Sequence, residues 1–305
     1  MKSHSIFYKL LLIIAVTIAL TISKNVFAKN FVIVTTYNYI ENITHQITGN
    51  TATITSLAPP QFDPHFIVPK PSHIVTLRNA DLLIINGAQL EAGWLPPLIR
   101  QANNPKINTS QKGFLDLSGY VQKIEIPQSV TRAKGDVHPE GNPHFHLDPY
   151  NIPVLAKAIH QRLILLNPEY TALYTENYTA FITKWQDYLT KWNTALKPLN
   201  GKTVITYHTL YDYFLQRYGL TLAATLEPVP GIPPTSKHIK SLEPLFAEKK
   251  VAFILQDIYH PDTAAHYFAS KYAVPVIVLP HDVNSTSDTN DIFTLFDAIV
   301  RRLSQ

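Results

Sequence analysis

The most constraining feature is a rhythm: short β-branched runs alternate with amphipathic segments twice, on either side of one long aromatic stripe. The first round opens at residues 31–36, Phe-Val-Ile-Val-Thr-Thr, a composition that suits a buried strand. Helical spacing over 39–49 follows, then a strand over 51–57, a helix over 72–78 and a strand over 80–87. The second round places strands at 203–206, 220–226, 251–256 and 274–279, and helices at 208–218, 241–248, 264–272 and 291–303. Such alternation predicts parallel sheets, because parallel neighbours need a crossover connection and a helix usually supplies it. Between the rounds, Tyr170, Leu173, Tyr174, Tyr178, Phe181, Trp185, Leu189 and Trp192 recur at spacings of three and four. Pro168 suits the first position of that helix, which would run for roughly thirty residues and about 45 Å. The stripe reads as core packing, and a helix of that length midway along the chain suits a backbone joining two lobes.

The N-terminus points to export. Lys2 and Lys9 give a basic start, residues 10–22 are almost wholly apolar, and Val26-Phe27-Ala28 supplies small residues at the exit. This is the three-part pattern of a cleaved signal peptide over 1–28. The apolar run falls short of the roughly 20 residues that span hydrocarbon, and no later stretch is a better candidate. Cysteine is absent, which excludes disulfides and lipid attachment through a cysteine, and confines any metal site to His, Asp, Glu and water. The formal charge of +4 includes Lys2, Lys9 and Lys24, so the processed chain carries only about +1. Without a basic stripe interleaved with aromatics, nucleic acid is not an expected partner.

Chemistry concentrates in histidine. His65 lies in Asp63-Pro64-His65 beyond a strand, and His144 in Asn142-Pro143-His144-Phe145-His146-Leu147-Asp148-Pro149. His208 follows the strand at 203–206. Loops at the carboxyl ends of parallel strands converge, so three such histidines from both rounds could meet. Imidazole nitrogens with one carboxylate would suit a tetrahedral zinc site. Taken singly, each has a plainer explanation as a solvated or hydrogen-bonded loop histidine, and none has zinc-finger or His-Glu-x-x-His spacing.

These segments resemble the periplasmic zinc- and manganese-binding proteins of ABC importers. The likeness runs through 57–66, Pro69 to Ser72, Leu77, Ala80-Asp81, Asn86-Gly87, Leu90-Glu91 and Trp94-Leu95, then through 142–149 and Thr206-Tyr207-His208-Thr209. It covers essentially the whole processed chain. The resemblance implies an α/β fold of two lobes, each with a mainly parallel sheet, joined by one long, rigid helix. The expected divisions are a metal-binding lobe over 29–166 with a flexible loop at about 124–143, a linking helix over 167–198, and a second metal-binding lobe over 199–305. It also implies metal ligands at His65, His144 and His208, with His146 the local competitor of His144, and Asp148 a structural cap at a helix head.

The fourth ligand is the point of departure. Where the family commonly has Leu-Asp-Pro, this chain reads Leu279-Pro280-His281-Asp282. Asp282 is the expected ligand, with His281 next, while Asp257 and His260 follow another strand end and could reach the cleft. Glu91 is expected to orient a ligating histidine. Asp136, His138 and Glu140 resemble a shortened form of the His/Asp-rich loop of zinc-specific relatives; His138 is thus a candidate for the site, and a solvated connector is the alternative. The implied function is capture of zinc, or alternatively manganese, by a periplasmic monomer and its delivery to an ABC importer permease, with a periplasmic metallochaperone as a further partner. An enzyme is not expected; the rivals are a secreted zinc hydrolase and an adhesin-like surface protein.

Overall fold

The computed structural model describes residues 31–129 and 138–305; the expected signal peptide and Asp136 lie outside the described residues. Among the described residues, eight strands form two four-stranded sheets. The first contains β1 (Phe31–Thr35), β2 (Ala52–Ser56), β3 (Leu82–Ile85) and β4 (Phe114–Asp116), ordered β2-β1-β3-β4. The second contains β5 (Thr203–Thr206), β6 (Thr221–Thr225), β7 (Phe253–Asp257) and β8 (Val276–Leu279), ordered β6-β5-β7-β8. β1, β3 and β4 run parallel, as do all neighbours in the second sheet. The α/β architecture expected from the alternation is therefore present, with one strand order used twice.

Helices fill the crossovers. In the first lobe these are α1 (Asn38–Thr48), α2 (Pro71–Asn79) and α3 (Leu95–Ala102), with α4 (Ile152–Leu166) following the last strand. The long helix α5 (Thr171–Leu196) has 26 residues, roughly 39 Å, and short 3-10 turns extend it at both ends. The second lobe carries α6 (Asp212–Arg217), α7 (Ser236–Ala247), α8 (Thr263–Tyr272) and α9 (Ile292–Leu303). Within α5, Tyr174, Phe181, Trp185, Leu189, Trp192 and Leu196 are buried, so the aromatic stripe is core. Trp185 packs on Phe293 and Phe296 of α9 at ring separations of 5.2 and 5.5 Å. Its indole N–H donates to the Pro149 carbonyl at 2.9 Å. Among the described residues, no helix is long and apolar enough to cross a membrane.

Several boundaries differ from the sequence expectation. The helix expected over 208–218 begins only at Asp212, leaving His208 in a turn off β5 where its ring can face the cleft. The helix expected from 241 starts at Ser236, because Thr235 accepts the His238 amide at 3.2 Å and caps it. β8 starts at Val276 rather than 274, just after Pro275, whose nitrogen has no proton for the ladder. β4 and α3 were not anticipated; α3 opens on Leu95-Pro96-Pro97, prolines that fit a first helical turn. Gly87, at φ +84°, is required behind β3: a Cβ there would fall 1.8 Å from an Asp116 carboxylate oxygen.

Candidate metal centre

The site is assembled from the carboxyl ends of both sheets. His65 lies in the loop that leaves β2, and Tyr37, just past the end of β1, donates its hydroxyl to the Pro64 carbonyl at 3.0 Å. His144 opens the 3-10 turn Phe145–Leu147. Asn142 anchors it: its side-chain oxygen accepts the His144 amide at 2.9 Å while its amide group donates to Thr209 of the second lobe at 2.7 Å. His208 stands two residues beyond β5.

All three histidines are buried, and each offers a ring nitrogen within 4.8 Å of those of the other two. The rings meet edge to face, with centroids 5.1 to 5.3 Å apart. His144 Nε2 and His208 Nε2 are 3.3 Å apart, and His65 Nε2 is buried without a hydrogen-bond partner among the described residues. A buried polar atom left unmet costs about 1–3 kcal/mol, so His65 Nε2 is organised for something that accepts a lone pair. Burial, then the neighbouring histidines His65, His208, His146 and His138, push the His144 imidazole well below its usual range and keep it neutral.

Two carboxylates fix the tautomers. Asp63 Oδ1 lies 2.7 Å from His65 Nδ1 and also accepts the His65 amide at 2.9 Å. Glu227, just past β6, holds His208 Nδ1 through Oε1 and accepts the Gly231 amide through Oε2 at 3.2 Å. With Nδ1–H donated to a carboxylate, each Nε2 presents its lone pair, the arrangement that ligating histidines use. Burial acts to raise Asp63, but its contacts with His65 and His260 hold it below the ordinary carboxylate range. Neither Asp63 nor Glu227 was singled out from sequence. Proximity to His65 could have flagged the first, and its place after a strand the second.

Other expected participants lie elsewhere. Asp282 is not in the three-histidine group: its carboxylate accepts the backbone amides of Asn38 and Tyr39 at 3.1 and 2.7 Å, capping α1 across the lobes. Burial raises it to about 7. The His281 ring packs against Tyr259 at 4.8 Å, and burial pushes it down to about 4 against the pull of Asp257 and Asp63. His146 stacks on Tyr39 at 4.4 Å and donates from Nε2 to the His281 carbonyl at 3.0 Å, so its ring serves lobe contact while His144 occupies the group. Glu91, expected to orient a histidine, instead accepts from Thr36, Asn86 and Gly87 and ties the loops after β1 and β3. Burial raises its carboxyl to about 7. Asp257 holds His260. Asp148 accepts the Tyr150 amide at 2.9 Å and pairs with Arg217 at 2.8 Å, so it joins α6 to the head of α4. His138 lies 5.2 Å from His65, ring to ring, on the wall of a cavity of about 620 Å³ that also exposes Phe66, Val68 and Ile232.

The family described as zinc-uptake complex component A, periplasmic, matches residues 33–305. The high-affinity zinc uptake system protein ZnuA of Bacillus subtilis is 25% identical over 250 residues, covering 81% of this chain and 77% of that protein. The manganese ABC transporter substrate-binding lipoprotein PsaA of Streptococcus pneumoniae is 28% identical over 228 residues, covering 72% and 69%. Among solved structures, a ZnuA crystal structure aligns with a TM-score of 0.74 at 20% identity, over 90% of this chain and 98% of the other. A manganese-bound periplasmic metal-binding protein from Candidatus Liberibacter asiaticus aligns at 0.73 and 17% identity, with the same coverage. At these identities the structural likeness establishes the fold.

Proposed function

This chain belongs to the periplasmic zinc-uptake component A family, and from that membership we propose that it captures a divalent metal through His65, His144 and His208 and delivers it to an ABC-type membrane importer. The observation that carries this reading is the convergence of three buried imidazoles from both lobes, two with Nδ1 engaged by a carboxylate. Zinc is the favoured ion over manganese. Nitrogen-rich sites suit zinc, whereas manganese prefers carboxylate and water, and no carboxylate joins this group among the described residues. The working compartment is the periplasm, reached by cleavage after Ala28. The protein acts as a monomer, with the importer permease as partner and a periplasmic metallochaperone as a further one.

Binding without turnover fits the same geometry. A catalytic zinc needs a free general base beside its open position. The two carboxylates next to these rings, Asp63 and Glu227, are already committed to imidazole Nδ1 atoms. The test is zinc titration of metal-free protein alongside His65→Ala, His144→Ala and His208→Ala. The parent should bind one zinc per chain, and each variant should lose at least about 100-fold in affinity, beyond the 10–100-fold typical of a lost partner of a ligand. Three variants that bind as tightly as the parent would end the proposal.

A further inference from the structure

His260 follows β7 in the second lobe and is held from three sides. Asp257 Oδ2 takes its Nδ1 at 2.8 Å, and Asp257 Oδ1 accepts its backbone amide at 2.8 Å. The Tyr207 ring lies flat against it, centroids 4.2 Å apart and planes 15° off parallel. Gln256 donates to its carbonyl at 3.2 Å. The Asp257 side chain is only 1% exposed, so this mount is set in the core of the lobe. The one ring atom left over, Nε2, points across the cleft to Asp63 Oδ2 at 3.7 Å. Asp63 belongs to the first lobe, and its other oxygen holds His65.

We propose that His260 is a positioning residue for the metal site: fixed in the second lobe, it restrains Asp63 of the first and thereby sets the orientation of His65. The proposal rests on the reading of His65, His144 and His208 as the ligands. It makes the geometry of a first-lobe ligand depend on the second lobe being in place, through the sequence Asp257, His260, Asp63, His65. His208 has no such cross-lobe dependence, because its carboxylate, Glu227, lies in its own lobe. Separation of the lobes would break the 3.7 Å contact, free Asp63 to turn, and loosen His65. His260 reaches the ligand only through Asp63, so losing it should loosen the bound state rather than block entry, and the effect should fall on the rate of release.

Stopped-flow release of zinc to a chelator, with the absorption spectrum of the cobalt(II)-substituted protein, tests this on the full chain. The variants are His260→Ala, His260→Leu and His260→Gln. Leu preserves packing on Tyr207 without a donor; Gln returns an N–H near the Nε2 position. Ala and Leu should release zinc at least about 10-fold faster and alter the cobalt spectrum, with Gln recovering part of both. In an Asp63→Asn background the same His260 changes should add little, since residues acting through one contact are not additive. Unchanged release in Leu and Ala, equal loss in Gln and Leu, or a full effect in the Asp63→Asn background would each overturn the inference. Melting of each metal-free variant identifies misfolding, and if Ala does not fold the Leu–Gln pair decides alone. A parent that binds no zinc would instead remove the reading of the site itself.

Discussion

At the scale of single residues, the centre depends on imidazoles aimed by carboxylates. Asp63 and Glu227 fix which nitrogen of His65 and His208 carries the proton, which a sequence motif cannot state. Histidines kept neutral by burial also make stability sensitive to acid. His281 is held at about 4 by burial in the folded chain, whereas an unfolded histidine titrates near 6.5. Between those values the unfolded state takes up a proton that the folded state refuses, so stability falls as pH drops from about 6.5 toward 4. In urea titrations of metal-free protein, His281→Gln should flatten that decline by roughly 1 kcal/mol per pH unit. Parallel curves for parent and variant would contradict the burial argument.

At the scale of elements, helix ends are closed by groups far away in sequence. α1 has no side-chain cap of its own, since Tyr37 occupies its N-cap position. Asp282 supplies the acceptor from 243 positions away, at the end where the helix dipole favours negative charge. Asp282→Ala should therefore cost about 2 kcal/mol of stability, read as a lower urea midpoint, while zinc stoichiometry stays at one per chain. Zinc binding abolished with the midpoint unmoved would return Asp282 to the ligand role that its loop suggested. One helix start was readable, since Pro168 does begin the helical run; the Asp291 cap on α9, which accepts the Thr294 amide at 2.7 Å, was not read from the sequence.

At the scale of the whole molecule, α5 is the common wall. Near its start the Tyr174 hydroxyl lies 2.9 Å from Thr51 of the first lobe, and toward its end Trp192 donates to Asp297 of α9 at 2.8 Å. Trp185 lies between them, against both Pro149 and α9. Replacing it with alanine opens a cavity in that wall and should cost about 3–5 kcal/mol, measured by chemical denaturation with and without zinc. The loss should appear in both conditions, because Trp185 supports the scaffold rather than the ligands. A cost below about 1 kcal/mol would mean that the wall repacks around the gap.

The sequence by itself determined the elements and the metal-site candidates. Period-two and period-3.6 patterns are local, so every described strand but the three-residue β4, the long helix and the three strand-end histidines were legible along the chain. What it could not decide was the pairing of charges. Asp282, Glu91, Asp63 and Glu227 are all carboxylates in loops after strands, and apart from the nearness of Asp63 to His65 nothing local separates them. Only the tertiary structure sends the first two to backbone amides, capping α1 and tying the loops after β1 and β3, and the other two to imidazoles. The physical reason is plainest for two of them: a buried carboxylate must find a donor, and those of Asp282 and Glu227 lie 243 and 19 residues away, brought near only by how strands and lobes assemble.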